Sequence, residues 1–297
     1  MTPRKLFLAV FTVSGLMLAA AAGAQEDVKI TTTEVAKGIF MLTGKGGNIG
    51  LNIGKDATFV IDDQFAPLTG KILDAIKAAG GGKPDFLINT HYHGDHTGGN
   101  ENLGRGGTLI FAQDNVRERL SAPSFIKAFK MSTPARPKAA LPVVTFSEDM
   151  TFYLNGERIH AFHVAHAHTD GDSVIHFVNA NVIHTGDIFF NGFYPFIDVE
   201  HGGSLAGMIA AADTILSLAD DRTKIIPGHG PLGDKAQLRK YRDMLSTALG
   251  RLKNLKESGK SVEEAVAAKP LADLEGEWGK GIFTGDRWIE VIYSGVY

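Results

Sequence analysis

The stretch that decides the reading is Asp85-Phe86-Leu87-Ile88-Asn89-Thr90-His91-Tyr92-His93-Gly94-Asp95-His96. Its first half, from Asp85 to Asn89, is a short apolar run between polar residues, the pattern of a buried strand. Its second half packs four metal-ligand side chains into six residues, on the loop leaving that strand. Alternate residues of an extended segment point the same way, so His91 and His93 can share one metal ion. Asp95 and His96 turn past Gly94 toward a second position. Imidazole and carboxylate together suit zinc, and also iron or manganese. A polar surface loop with chance histidines does not account for such a cluster directly after a buried strand.

One motif cannot complete two tetrahedral sites, and three downstream loops offer the missing ligands. They are Ala167-His168-Thr169-Asp170-Gly171-Asp172 at a turn between strands, Thr185-Gly186-Asp187 at a strand end, and Pro227-Gly228-His229-Gly230 after the apolar Ile225-Ile226. Each puts a ligand type where a strand gives way to a loop, the place where α/β folds gather ligands. His166 stands two residues before His168 and can face the same way. His160, His163, His176, His184 and His201 lie outside these motifs and read as structural, since buried polar groups find partners.

Outward from the motif, short β-rich runs precede it at Val28–Glu34, Ile39–Thr43, Asn48–Ile53 and Ala57–Ile61, with a helix expected over Pro67–Ala79. After it, Asn155-Gly156 predicts a type I′ hairpin between Phe152–Leu154 and Glu157–Val164. Ser173–Val178 and Val182–Thr185 read as a strand pair. Ser204 is a candidate N-cap for a helix to Leu218, and Ser261 with Glu264 forms a capping box. Leu238, Tyr241, Leu245, Leu249, Leu252 and Leu255 mark one face of a long helix, and Gly285–Tyr293 reads as a last one. The order is strands then helix, twice. Two packed sheets with helices outside would cover both faces of each. Residues 121–142, with four prolines and several basic residues, read equally as a flap or an irregular connection.

Arg4 and Lys5, the apolar run Leu6–Ala22 and the small-residue end Ala22-Gly23-Ala24 predict a secretory leader over residues 1–24. The mature domain is then 25–297, secreted across the inner membrane to the periplasm or beyond, with no membrane anchor after cleavage. Losing Arg4 and Lys5 takes the net charge from −3 to −5. Without a basic run, no nucleic-acid partner is expected. Cysteine is absent, which removes thiolate from the possible ligands and nucleophiles.

Taken in order, HxHxDH at His91–His96, then His168-Thr169, Thr185-Gly186-Asp187 and Pro227-Gly228-His229-Gly230, the chain resembles the metallo-β-lactamase-fold hydrolase superfamily. The resemblance implies an α/β fold, an αββα four-layer sandwich, with the site at one edge between the sheets. It implies two Zn2+ ions per chain: His91, His93 and His168 on the first, Asp95, His96 and His229 on the second, and Asp187 bridging. It also favours His168 over His166, because the family ligand directly precedes threonine. Asp62 ends the Phe59–Ile61 strand where superfamily members often have an aspartate. Such a carboxylate can fix a ligand imidazole, and a plain turn residue is the equal alternative.

The implied chemistry is a metal-bridging hydroxide attacking the carbonyl of a small-molecule amide, β-lactam, lactone, ester or thioester, with Asp95 orienting the hydroxide and carrying its proton. Glyoxalase II-like thioester hydrolysis is one alternative, although Cys-Gly-Arg does not follow the Thr-Gly-Asp. A mononuclear iron enzyme resembling persulfide dioxygenases is another. Loops choose the substrate. The aromatic stretch Ile188–Phe196 after Asp187 is expected to divide between core and pocket wall. No cation stands in it to hold a substrate carboxylate, so Lys127, Lys130 or Arg136 would have to reach in from the proline-rich segment.

Overall fold

The structure is a computed structural model that describes residues 28–297; the expected leader lies outside the described residues. Strands β1 (Thr31–Ala36), β2 (Ile39–Thr43), β3 (Ile49–Ile53) and β4 (Thr58–Ile61) form an antiparallel meander. Helix α1 (Thr69–Ala78) crosses back to β5 (Phe86–Ile88), which lies parallel to β4. The histidine motif follows, with the short helices α2 (Gly94–Thr97) and α3 (Asn100–Arg105), and leads to β6 (Leu109–Gln113), again parallel. Helix α4 (Asp114–Ser121) and a small hairpin of β7 (Ser124–Ile126) and β8 (Met131–Thr133) precede β9 (Val144–Phe146), which completes a seven-stranded sheet.

The second sheet has six strands in chain order: β10 (Asp149–Leu154), β11 (Glu157–His163), β12 (Ser173–Phe177), β13 (Val182–His184), β14 (Lys224–Ile226) and β15 (Gly233–Asp234). All its pairings are antiparallel except β13 with β14. Helices α5 (Leu205–Leu218), α6 (Lys235–Glu257), α7 (Val262–Ala267), α8 (Glu275–Trp278) and α9 (Gly285–Ile292) belong to this half. Among the described residues no helix is long and apolar enough to cross a membrane.

The alternation of side chains along the strands divides the core into layers. Phe59, Ile61 and Ile88 of the first sheet meet Ile175, Phe177, Val182 and Ile226 of the second. The intervening Val60 and Leu87 point the other way, onto Ile72 and Ile76 of α1. Val174, Ile183 and Ile225 likewise leave the second sheet to pack on Met208 and Ile215 of α5 and Leu245 of α6. Both faces of both sheets are covered, and the architecture is an αββα sandwich.

Local signals hold where the chemistry is local. Asn155 and Gly156 have φ of 57° and 74°, as a type I′ turn requires. Ser204 caps α5 by accepting from the Gly207 amide, and the capping box of Ser261 and Glu264 is formed. The helix predicted from Pro67 opens instead as a 3-10 turn (Ala66–Leu68) before α1. The first strand starts later than expected, at Thr31. Strands β6 and β9, and helix α4 between them, are additions to the sequence reading. Within residues 121–142, β7 and β8 form a hairpin, and 134–142 run on irregularly apart from a 3-10 turn at Lys138–Ala140. The hairpin is tied down at its turn, where the Ala128 carbonyl accepts from Arg287 Nη2 (3.0 Å), and Phe129 packs on Phe196 and Phe283.

Strands β4 and β5 run parallel, as do β13 and β14, so their C-terminal ends lie together at one edge of the sandwich. The opposite edge is locked by Asn155 on the β10–β11 turn. Its Oδ1 accepts from the amides of Asp56 and Ala57 (2.9 and 3.2 Å), while its Nδ2 donates to Asn52 Oδ1 and the Ala57 carbonyl (2.7 and 2.9 Å). This one side chain joins the two sheets. Replacing Asn155 by alanine removes those bonds and places alanine at positive φ. The expected loss of stability is about 2 kcal/mol or more, read as a lower urea midpoint, whereas Asn179→Ala in the neighbouring turn should cost less than half as much.

Candidate metal centre

Four loops converge at the edge where β4, β5, β13 and β14 end. They bring His91, His93, His168 and Asp187 into one group of potential ligands, and Asp95, His96 and His229 into a second. In the first group His168 Nε2 lies 2.9 Å from His93 Nδ1. In the second, His229 Nε2 is 3.3 Å from His96 Nε2 and 3.2 Å from Asp95 Oδ2. Asp187 stands between them. Its Oδ2 faces His168 and His229, both at 3.4 Å, and its Oδ1 lies 3.0 Å from His96 Nε2. Every residue expected from the sequence as a ligand is therefore in the cluster. His166 is not: it is exposed, and its Nδ1 turns to the Gly202 carbonyl.

The outward nitrogens of the imidazoles are held by protein acceptors, which orients the inward ones. His96 Nδ1 donates to Asp62 Oδ2 (2.7 Å). Thr90 Oγ1 donates to the same oxygen (2.7 Å) and accepts from His91 Nδ1 (3.0 Å). Asp62 is thus the orienting acceptor rather than a plain turn residue. His168 Nδ1 donates to the Phe196 carbonyl (2.8 Å). His93 is held through its other nitrogen, Nε2, by Asp198 Oδ2 (2.9 Å), leaving Nδ1 to face the cluster.

Asp198, Thr90 and Asp172 were missed by the sequence reading. Asp198 also accepts from Tyr92 Oη (2.6 Å) and His201 Nδ1 (2.8 Å). Asp172 accepts from the amide and hydroxyl of Thr169 (2.7 and 2.6 Å), closing the turn that aims His168 inward. The available signal for Asp198 was an acid between apolar residues, Ile197 and Val199. His163, His184 and His201 hold backbone or carboxylate groups, as structural residues do. Glycine is required where loops touch. A Cβ on Gly228 would overlap Asp187 Oδ1, and one on Gly47 would overlap the His96 ring.

Protonation follows from these surroundings. Burial pushes His91 well down and His168 down to about 4, so both are neutral, as ligands must be. Burial would raise Asp187, but the charged His96 and His229 beside it hold it well below the usual carboxylate range. Burial opposes charge on His229 as well, yet Asp187 and Asp95 lift it to about 9. Without an ion, the second group therefore neutralises its carboxylates with protons on histidine.

Within the cluster, two buried atoms have no hydrogen-bond partner: His91 Nε2 and Asp187 Oδ1. Each such orphan costs about 1–3 kcal/mol. Both belong to the cluster, and an all-nitrogen-and-oxygen donor set of this kind suits a divalent ion.

Residues 42–229, which include the whole cluster, match the model of the metallo-beta-lactamase superfamily. The chain belongs to the metallo-β-lactamase superfamily. Among solved structures it is similar to DIM-1 metallo-beta-lactamase, with a TM-score of 0.60 at 21% identity over 75% of this chain and 100% of that one. A metallo-beta-lactamase from Pontibacter korlensis gives a TM-score of 0.60 at 18% identity, covering 73% and 99%. At these identities the likeness is one of fold. No curated protein sequence matches the chain.

The superfamily cluster generates two predictions. Asp198→Asn weakens the grip on His93 and should lower zinc affinity at the first group about 10- to 100-fold, measured by competition with a chromogenic chelator; His166→Ala should leave it unchanged. Because His229 holds a proton up to about pH 9 in the stripped protein, zinc must displace it. Calorimetry at pH 7 in buffers of different ionisation enthalpy should then show proton release. Zinc affinity should rise with pH up to at least about pH 9, since His96 in the same group is also lifted well above the usual imidazole range.

Proposed function

We propose that the chain is an exported dizinc hydrolase that cleaves a carbonyl substrate: an amide, ester, lactone or thioester. The carrying observation is the position of Asp187, whose two oxygens address both ligand groups while its Oδ1 and His91 Nε2 are buried without partners. His91, His93 and His168 would hold one zinc ion, Asp95, His96 and His229 the other, with Asp187 bridging. When bound, such a pair lowers the pKa of water into the neutral range and polarises a carbonyl oxygen. The Arg4-Lys5 and apolar leader pattern supports export.

The chain's own residues complete the chemistry. Asp95 is partly exposed at the cavity wall, and His96 and His229 hold its carboxyl down to about 2 against the effect of burial. It is therefore ionised and able to accept a hydrogen bond from a nucleophilic water and orient it. The cavity beside it has a volume of about 640 Å3 and walls from Phe65, Phe190, Phe193, Phe196, Ile126 and Phe129. Phe189 points instead into the helical core beside Tyr241, so the aromatic stretch divides between core and wall. Apolar walls exclude bulk water and hold the substrate in register. A mononuclear iron reading leaves the complete second group without a purpose.

Protein purified without chelator should carry about two zinc ions per chain by elemental analysis; a stoichiometry of one in excess zinc would refute the binuclear reading. Asp187→Ala should lose the second ion and at least about a hundredfold in turnover while circular dichroism is unchanged.

A further inference from the structure

We propose that Arg136 is the anion anchor of this cavity, so that the substrate is a carbonyl compound bearing a carboxylate and a bulky apolar body. The inference rests on the hydrolase reading and adds the substrate class to it. Arg136 lines the same cavity as His93, Asp95, Asp187 and His229. Its Nη2 lies 3.3 Å from where a Cβ on Gly94 would stand, which puts the guanidinium beside the metal-ligand motif. Lys127 and Lys130, the other candidates from this segment, do not line the cavity; Lys127 faces Glu200.

The guanidinium is free to accept an anion. Its Nε is buried without a hydrogen-bond partner, and among the described residues Arg136 forms no ion pair; Asp63, the buried acid that feels its charge, makes neither a hydrogen bond nor an ion pair with it. Arg119, which lines a small void together with Arg136, is by contrast paired to Asp170 through Nη2 and Nε. A half-buried guanidinium left without a partner is costly, and a carboxylate answers its planar fork with two parallel bonds. The backbone is also stiff. The Arg136 amide donates to the Leu120 carbonyl (2.8 Å), and Pro137 restricts the conformation of the residue before it. A preorganised arginine orients a ligand where a mobile lysine does not.

The rest of the wall describes the rest of the ligand. Phe129, Met131 and Ile282 are large apolar side chains exposed to solvent by 45%, 44% and 57%, and all three line this cavity. Together with Phe193 and Phe196 they form an apolar surface of the kind that marks a binding site. A ligand with its carboxylate at Arg136 lies next to Gly94 and Asp95, and its apolar body extends along these rings.

Binding of phenylhexanoate and of neutral phenylhexanamide to the zinc-loaded protein, measured by calorimetry, tests the anchor without turnover. Wild type should bind the acid at least about tenfold more tightly than the amide. Arg136→Gln should abolish that preference while its affinity for the amide, its zinc content and its thermal midpoint stay at wild-type values. Arg136→Lys should restore part of the preference, and Lys45→Ala, at the exposed cation that also lines the cavity, should keep all of it. Equal binding of acid and amide by wild type overturns the proposal. So does a preference that survives Arg136→Gln, since another cation would then hold the acid. Esters and thioesters of the same body, with and without a distal carboxylate, separate this from the hydrolase reading. If wild type hydrolyses neither but binds the acid through Arg136, the hydrolase reading fails and the anchor stands.

Discussion

The buried carboxyl of Asp62 is the constraint on which the site is built. It lies at the end of β4 with φ of 61°, an unfavourable conformation for a residue with a side chain. Its Oδ1 accepts from the Thr90 amide (2.8 Å), and its Oδ2 accepts from the Thr90 hydroxyl and His96 Nδ1. Through Thr90 it also sets the proton on His91. One side chain thus selects the inward nitrogen of a ligand in each group. Burying such a group without partners costs several kcal/mol, so these donors hold the β4 and β5 loops in one arrangement. The strain at Asp62 is the kind that gathers at functional sites, where surrounding structure over-determines it.

Asp198 does for the far side what Asp62 does for the near side. Burial alone would raise its carboxyl, yet hydrogen bonds from His201, His93 and Tyr92 hold it well below the usual range. Its charge therefore persists, and His93 must present Nδ1. The loop of residues 44–48 ties the halves together from the first sheet. The Gly47 amide donates to the Asp95 carbonyl (3.1 Å), and Asn48 Nδ2 donates to the carbonyls of Pro227 and Gly230 (2.9 Å each). The loops of His96 and His229 are clamped to the same short segment. The two groups hence share a rigid frame, and Asp187 can address both only because Gly228 lets the Pro-Gly-His-Gly loop pass against it.

Around this frame the specificity elements come from elsewhere in the chain. Phe190, Phe193 and Phe196 arrive from the loop after β13, whereas Phe129, Met131 and Arg136 arrive from the β7–β8 hairpin and the segment after it. Contacts of Phe129 with Phe196 and Phe283, and of Arg287 with the Ala128 carbonyl, hold that hairpin over the cavity. The division suits a superfamily in which the metal frame is common and the loops differ.

Much of this was determined by the sequence itself. The Asn155-Gly156 hairpin, the capping residues Ser204 and Ser261, and the long face of α6 follow from interactions within a few residues, where propensity and periodicity act directly, whereas the candidate ligands were legible through the motifs around His91–His96, His168, Asp187 and His229 and the superfamily those motifs resemble. The α/β layering was legible because apolar residues alternate along short strands. Tertiary structure alone decided the remainder. Asp198 becomes the partner of His93 although 105 positions separate them. Strand β9 joins β6 only across the intervening hairpin. The guanidinium of Arg136 ends beside Gly94 without an ion pair. Each of these depends on where distant segments of backbone come to rest, and that is set by the packing of the two sheets.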